Sequence, residues 1–227
     1  MYNQSDITPT YVFEALYDQA LQLAIGKGAS GALINIPDIT TVPFFTAIPS
    51  NGLFLTRQTQ ADSLNGYWRA QFPNISFHIG NNQFIVQDNA GQVRQSVPGE
   101  LILLTTPLNN LTCLGWGSYT AIPEQYVLTT DELQFIRTAT ARFNDFIYKE
   151  SVRYNLAYVD MYTYLGTIAK GITYNGINYT ADYVSGGAFS LDGVHLTPRG
   201  YALVANEIIR TINTKYHSTI PYTDGNR

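Results

Sequence analysis

The chain is poor in charged residues. Asp, Glu, Lys and Arg make up 13% of its 227 positions, against about 25% in typical soluble domains. The formal net charge is −4, so no basic surface is available for nucleic acid and no nucleic-acid partner is expected. The surface must therefore be covered by uncharged polar residues and by many of the 17 tyrosines.

Cysteine and histidine are also scarce, with one Cys and three His in the chain. A single cysteine excludes an internal disulfide, and this small set of ligands does not build a zinc site. We therefore expect neither a metal nor another cofactor. Cys113 itself is predicted to be a small, buried, apolar residue.

Long apolar runs are missing. No stretch of about 18 apolar residues occurs, so no transmembrane segment is expected. The first residues, Met1 to Asp6, show neither a basic segment nor an apolar one, and they do not form a signal peptide. The hydrophobic fraction of 45% is nevertheless enough for a sizeable core, and the length suits one domain.

Helical and strand patterns alternate at the two ends of the chain. Thr8-Pro9 predicts a helix start, Gly26 predicts its end, and residues 32–36 form an apolar run typical of a buried strand. The inner face of this first helix is predicted to carry Val12, Leu16, Ala20 and Leu23.

The second half of the chain continues this pattern. Thr129 to Glu132 match a capping box at the start of a long helix that ends near Tyr154. Its inner face is predicted to include Leu133, Ile136, Phe143 and Ile147. Residues 156–161 predict a second buried strand, and Thr197-Pro198 predict the start of the last helix. That helix is expected to turn inward Tyr201, Val204, Ala205, Ile208 and Ile212.

Between these ends, residues 43–123 lack a regular α/β pattern. We interpret them as a β-rich insertion within a single domain spanning 1–227, because no linker bounds them. A short helix is expected over 59–72 and a strand over 101–105. Gly80 to Gln83 are predicted to form the turn of a hairpin whose strands are 76–79 and 84–86.

The chemistry of the chain points to Asp192 and His195. The two residues lie three positions apart in a Gly-containing turn that precedes the last helix, on a loop expected to follow a strand of the parallel sheet. A carboxylate at this spacing can hold one ring nitrogen and leave the other as a general base. Two alternatives remain, namely a loop carboxylate that bonds backbone amides and a metal site, although no third ligand is evident.

The segment 189–201, FSLDGVHLTPRGY, resembles the last block of the SGNH (GDSL) hydrolases, and it is not the only match. Residues 32–45, 98–104 and 186–189 resemble segments of the secreted Bacteroidetes-type members in the same order. The resemblance implies a flavodoxin-like, three-layer α/β/α fold and a serine esterase or lipase activity. It also implies that Asp192 and His195 are two members of a catalytic triad.

The nucleophile of that family is not found where the pattern needs it. Its Gly-Asp-Ser block, and the Gly and Asn that complete the oxyanion hole, precede the helix and strand with which this chain begins. Ala61-Asp62-Ser63-Leu64 imitates the block but falls in a predicted helix, and Gly80-Asn81-Asn82 imitates Gly-Asn-Asp but falls in a predicted turn. The resemblance therefore implies the C-terminal part of an esterase, with its Ser upstream of Met1.

Other assignments stay open at this stage. The chain could be a non-catalytic module whose tyrosine-rich insertion binds a carbohydrate or another polymer. It could also assemble with a separately encoded N-terminal half. An uncovered edge of the 32–36 strand would favour self-association. If the family resemblance is followed, the substrate is a small-molecule, lipid or acylated-sugar ester, and the location is secreted, periplasmic or at the cell surface.

Overall fold

The computed structural model describes residues 4–88 and 90–225. These divide into two units. The first unit contains residues 44–133, and the second contains residues 4–43 together with residues from 134 onward. The first unit is thus inserted in sequence between the two segments of the second, and it runs past Pro123, where the predicted insertion ends.

The described residues form a mixed α/β protein, as the composition and patterns predicted. The α-helices are α1 (Thr10–Ile25), α2 (Pro43–Thr46), α3 (Gln58–Trp68), α4 (Leu108–Thr112), α5 (Thr130–Arg153), α6 (Met161–Lys170) and α7 (Pro198–Tyr216). The strands are β1 (Ala32–Ile34), β2 (Leu53–Leu55), β3 (Gly80–Asn82), β4 (Ile85–Gln87), β5 (Val93–Gln95), β6 (Leu101–Ile102), β7 (Val127–Leu128), β8 (Ala157–Val159), β9 (Ile172–Tyr174) and β10 (Ile177–Tyr179).

The second unit contains a parallel pair of strands, β1 and β8, with Leu33 opposite Tyr158. The two strands predicted from the apolar runs are confirmed, although both are shorter than expected. On the face that bears Leu33 and Tyr158, side chains of α1 and α5 complete a core cluster that includes Leu21 and Ile147. Helix α7 packs against β8. Among the described strands, β1 pairs with β8 alone, so its other edge has no neighbour.

Helix α1 turns a different face inward from the one predicted. Its packed side chains include Phe13, Tyr17 and Leu21, and Phe13 stacks on Phe143 of α5 with ring centroids 4.1 Å apart. Of the predicted inner residues, Val12 is partly buried and Ala20 is exposed, while Leu16 is 60% exposed and Leu23 79% exposed. The inner face was predicted wrongly because apolar side chains line both sides of this helix. Thr8 is not the cap either, since the helix begins at Thr10 after Pro9.

Helices α5 and α7 follow their predictions more closely. The capping box forms, because the Thr129 amide donates to Glu132 at 2.8 Å and the Glu132 amide donates to Thr129 Oγ1 at 3.3 Å. In α7 the cap at Thr197 and the following proline are both confirmed. Its most buried side chain is Leu203, whereas Tyr201, predicted to face inward, is 52% exposed.

Between β8 and α7 lie elements that the sequence patterns did not predict. Helix α6 starts directly after β8, where the Asp160 side chain caps it by accepting from the Thr163 amide. The antiparallel hairpin β9–β10 follows. The loop that carries Asp192 and His195 therefore follows a hairpin, and the prediction that it follows a parallel strand was wrong.

The first unit contains three antiparallel strand pairs, β2–β3, β4–β5 and β6–β7. The predicted turn at 80–83 was wrong, because Gly80–Asn82 form β3 and pair with β2. Its predicted partner strand at 76–79 is irregular, and Asn82 fixes that segment by accepting a hydrogen bond from the His78 amide. The predicted strand at 101–105 is confirmed only over Leu101–Ile102.

Two further predictions concern single features. Cys113 is exposed at the end of α4, so its assignment to the core was wrong. In the described part of the chain, no helix combines the length and apolar character needed to cross a membrane.

Candidate functional site

The loop between β10 and α7 is held by short hydrogen bonds within a few residues. Phe189 and Leu196 form an isolated antiparallel bridge, and the Ser190 amide donates to the His195 carbonyl at 2.8 Å. Gly193 closes the turn with φ +73°, a backbone conformation that favours glycine. The turn places Asp192 and His195 on the same side of the loop.

The Asp192 carboxylate is the centre of this loop. Its Oδ2 lies 2.6 Å from Nδ1 of His195. Its Oδ1 accepts from the Ser190 hydroxyl at 2.7 Å and from the amides of Val194 and His195 at 2.9 Å each. Because one oxygen is held by three donors, the other is aimed at the imidazole. The predicted pairing of Asp192 with His195 is present in this geometry.

Hydrogen bonds also keep Asp192 ionised. Donation from the Val194 amide, the Ser190 hydroxyl and His195 lowers the pKa of the Asp192 carboxyl well below its ordinary range. A carboxylate that is charged at neutral pH favours the Nδ1–H tautomer of the neighbouring imidazole. The Asp192 carboxylate is thus able to orient the His195 imidazole through Nδ1.

The remaining ring nitrogen, Nε2 of His195, faces solvent. The His195 side chain is 71% exposed, and no group among residues 4–88 and 90–225 forms a hydrogen bond to Nε2. An imidazole whose Nδ1–H is held by a carboxylate can accept a proton at Nε2 from a hydroxyl or from water.

The start of α7 fixes the end of this loop. Thr197 Oγ1 accepts from the Gly200 amide at 3.0 Å and donates to the Gly187 carbonyl at 2.7 Å. Gly200 packs so closely on the Ala188 carbonyl that a Cβ at this position would overlap its oxygen. The Thr-Pro-Arg-Gly segment therefore anchors the helix and the Asp192–His195 loop to the same backbone.

Neither of the two serines that lie near the Asp192–His195 loop in the sequence is poised to act as the nucleophile. Ser190 donates its hydroxyl to Asp192 rather than to the imidazole. The Ser185 hydroxyl donates to the Tyr183 carbonyl at 3.5 Å.

Two serines of the first unit, Ser63 and Ser118, form hydrogen bonds within their own surroundings. Ser63 lies on an exposed turn of α3, as predicted, and its hydroxyl lies 2.9 Å from that of Tyr119. Ser118 donates to the Gly115 carbonyl at 3.0 Å. Neither has the sharp strand-to-helix turn that exposes a nucleophilic hydroxyl.

A second polar cluster was not found from the sequence. It lies where β1 and β8 end, the edge at which open parallel sheets collect their ligands. Buried Asn35 donates to Tyr158 Oη and to Asp160 Oδ1, each at 2.8 Å, and accepts from the Tyr162 amide. Burial raises the pKa of Asp160, but hydrogen bonds from Thr163 and Asn35 outweigh it and lower the pKa below its ordinary value. The side-chain amide of Asn35 is fully satisfied within the protein, so this cluster joins the two strands to α6.

Metal ligands do not gather anywhere in the described residues. Within 4–88 and 90–225, no three side chains of His, Cys, Asp or Glu lie close enough to hold an ion.

Comparison with known proteins identifies no relative of this chain. No family model, no curated protein and no solved structure matches the chain.

Proposed function

We propose that this chain supplies the Asp–His part of a serine ester hydrolase of the SGNH (GDSL) type. The observation that carries the proposal is the 2.6 Å contact between Asp192 Oδ2 and His195 Nδ1, with Nε2 left open to solvent. The order Asp-Gly-Val-His before a Thr-capped helix is the pattern on which the resemblance to that family rests.

In the proposed reaction His195 is the general base. Its Nε2 takes the proton of a serine hydroxyl as the serine oxygen bonds to the ester carbonyl carbon, giving a tetrahedral oxyanion. Collapse of that intermediate breaks the bond to the alcohol, which leaves with the proton from Nε2. Water then attacks the acyl-serine with the same help, so the acid is released and the serine is regenerated. Asp192 orients the imidazole and stabilises its charged form throughout.

The serine is proposed to come from a segment outside residues 1–227. This part of the proposal is supported by an uncovered surface on the second unit. The free edge of β1 offers backbone groups for another strand, and Ile34 on that strand is 42% exposed. Leu16 and Leu23 leave an apolar stripe open on α1. A second apolar stripe on a helix is normally covered by another element.

The uncovered edge of β1 also supports our proposal that the complete protein has a flavodoxin-like fold. Helices α1 and α5 pack on one side of the β1–β8 pair, and α7 packs against β8. Two strands are too few for a stable sheet of this kind. Further parallel strands beyond β1 would extend it and bury the open side chains. A second copy of the chain could occupy the same edge, which is the form that self-association would take.

Substrate class and location follow the same proposal. The leaving group would be the alcohol of a small-molecule, lipid or acylated-sugar ester, and the enzyme would act in a secreted, periplasmic or cell-surface setting.

The test measures hydrolysis of p-nitrophenyl acetate by the form of the protein that carries a Gly-Asp-Ser segment, whether that segment is encoded before Met1 or separately. His195→Ala should lower kcat by at least ~10³-fold. The matched control is His217→Ala, since His217 is exposed at the end of α7 and should leave kcat unchanged. Equal turnover by His195→Ala and the unsubstituted protein would rule out the assignment.

A fluorophosphonate probe tests where the nucleophile lies. Mass spectrometry of the labelled protein should locate the adduct on a serine outside residues 1–227. An adduct on Ser63 or Ser118 would show that the serine is within this chain and would contradict that part of the proposal.

A further inference from the structure

The outer face of α3, in the first unit, combines exposed aromatic rings with an open polar cavity. One side of this face carries Tyr67, which lies beside Tyr119 from a later loop. The other side carries Asp62 and Arg69. We refer to these four residues, with Gly66 between them, as the α3 surface.

The aromatic side of the α3 surface consists of two rings held at right angles. The ring centroids of Tyr67 and Tyr119 are 5.3 Å apart and their planes are inclined by 82°. Their exposed fractions are 57% and 42%. The Ser63 hydroxyl, 2.9 Å from that of Tyr119, fixes the second ring. Rings fixed in this way offer contact area at little further cost in side-chain entropy.

The polar side is a cavity of about 440 Å³ whose lining includes Asp62, Asn65 and Arg69. Asn65 uses its amide internally, donating to and accepting from the backbone of Phe77. Asp62 accepts one hydrogen bond, from Gln58 to Oδ1, so that Oδ2 is left for a ligand. Within the described residues, no side chain accepts a hydrogen bond from the guanidinium of Arg69. Asp62 and Arg69 therefore bring a carboxylate and a planar set of N–H donors to the lining of one cavity.

Gly66 joins the two sides. On a helix, residue 66 is the neighbour of residue 62 four positions before it and of residue 69 three positions after it. A Cβ at Gly66 would meet no atom within 4 Å, so no close packing requires glycine here. Glycine inside a helix costs about 1 kcal/mol relative to alanine. Because Gly66 has no side chain, the helix backbone is exposed between the aromatic pair and the cavity.

We propose that the α3 surface binds a carbohydrate, with a pyranose ring on Tyr67 and Tyr119 and neighbouring hydroxyls bonded to Asp62 and Arg69. A pyranose has an apolar C–H face that packs on aromatic rings and a rim of hydroxyls that both donate and accept. A carboxylate and a guanidinium match that rim, because one accepts and the other donates in a planar fork. Asp62 and Arg69 lie seven residues, or about 10 Å, apart along the helix. That span favours an oligosaccharide over a single sugar.

The composition of the surface argues against other ligands. One negative and one positive side chain do not form the basic surface that nucleic acid needs. The charged side chains of Asp62 and Arg69 do not suit an apolar chain or a lipid surface. The site involves neither Asp192 nor His195, so it stands apart from the proposed hydrolase activity.

The experiment is affinity gel electrophoresis of the whole chain in gels that contain soluble xylan, glucomannan, mixed-linkage β-glucan or dextran. We expect at least one of these polymers to retard the protein. Tyr67→Ala and Asp62→Ala should each weaken that retardation about tenfold. The matched control is Tyr148→Ala, because Tyr148 is 52% exposed and also forms a right-angled pair, with Tyr158, in the second unit. It should be retarded like the unsubstituted protein.

A second variant distinguishes a loss of binding from a loss of folding. Gly66→Gln places a side chain in the open space between the two sides, and it should abolish retardation while leaving the Tm measured by circular dichroism unchanged or higher. The proposal is overturned if no polymer retards the protein, or if Tyr67→Ala and Gly66→Gln are retarded as strongly as the parent. Binding of a polyproline peptide in place of every polysaccharide would also overturn it. His195→Ala should bind polysaccharide normally, which separates this result from the test of hydrolysis.

Discussion

Helix α1 carries three leucines that differ in exposure, so substituting each in turn measures how tightly the two faces of the helix are packed. Leu21 is 7% exposed, Leu16 is 60% exposed and Leu23 is 79% exposed. Replacing each by alanine removes the same atoms and leaves the same helix-forming residue. Differences in the free energy of unfolding between the three variants therefore report how far each site is covered.

The expected magnitudes follow from those exposures. Complete burial of a leucine side chain is worth about 1.5–3 kcal/mol, so Leu16→Ala should cost roughly 0.6–1.2 kcal/mol and Leu23→Ala roughly 0.3–0.6 kcal/mol. Leu21→Ala also leaves a cavity in the cluster with Leu33 and Ile147, and it should cost about 2–5 kcal/mol. Urea unfolding followed by far-ultraviolet circular dichroism gives the three values.

The informative comparison is between Leu21 and the other two leucines. If Leu16→Ala or Leu23→Ala costs as much as Leu21→Ala, then the outer face of α1 is covered in solution. The description of that face as open in the isolated chain would then fail.

Three other substitutions test the loop and the first unit. Asp192→Asn in the serine-bearing protein should lower kcat by ~10⁴-fold through the wrong imidazole tautomer, measured on p-nitrophenyl acetate; a loss below tenfold would contradict the orienting role. Because its pKa is lowered, Asp192 contributes to stability above its ordinary pKa of about 3.9, and this contribution disappears only as the pH falls through the lower folded value; a carboxyl NMR titration should show it still ionised at pH 3, and protonation above pH 4 would refute this. Gly200→Ala forces a Cβ onto the Ala188 carbonyl and should cost about 1–3 kcal/mol, so an unchanged Tm would contradict that close packing. Arg94→Met leaves Glu100, whose side chain is 2% exposed, without its cationic partner and should cost about 3–5 kcal/mol in urea unfolding; a near-neutral result would mean that water reaches the carboxylate.

Sequence reasoning worked best where a local rule decides the structure. The capping box at Thr129, the cap at Thr197 and the pairing of Asp192 with His195 each depend on residues within three positions of one another. Such contacts form from backbone geometry alone, so their spacing in the sequence is sufficient to predict them.

The inner face of α1 could not be predicted in the same way. Both of its faces carry apolar side chains, and only packing with Phe143 and Phe146 of α5 decides which one is buried. The spacing of apolar residues predicts that the segment is a helix, but it does not show which of two apolar faces is buried.

The predicted turn at residues 80–83 failed for a related reason. Gly80 to Asn82 pair with β2, which lies far away in the sequence, and the Asn82 side chain replaces the expected local turn by bonding the backbone at His78 and Gly80. A long-range strand pairing overrode a strong local preference. The Asn35–Asp160 cluster likewise depends on two strands that more than 120 residues separate, and no spacing pattern shows it.

The shortness of the Asp192–His195 loop has a consequence for how such a site arises. Both partners, the Gly193 turn and the Thr197 cap lie between Phe189 and Gly200. The Asp192–His195 contact therefore needs only one short segment to close, and no distant part of the chain has to arrive first. A segment of this kind can be transferred to another protein as one unit, provided that the new protein offers a strand pairing like that of Phe189 with Leu196 and the start of a helix. Under the proposed hydrolase role, the recipient would have to supply the nucleophile and the oxyanion hole.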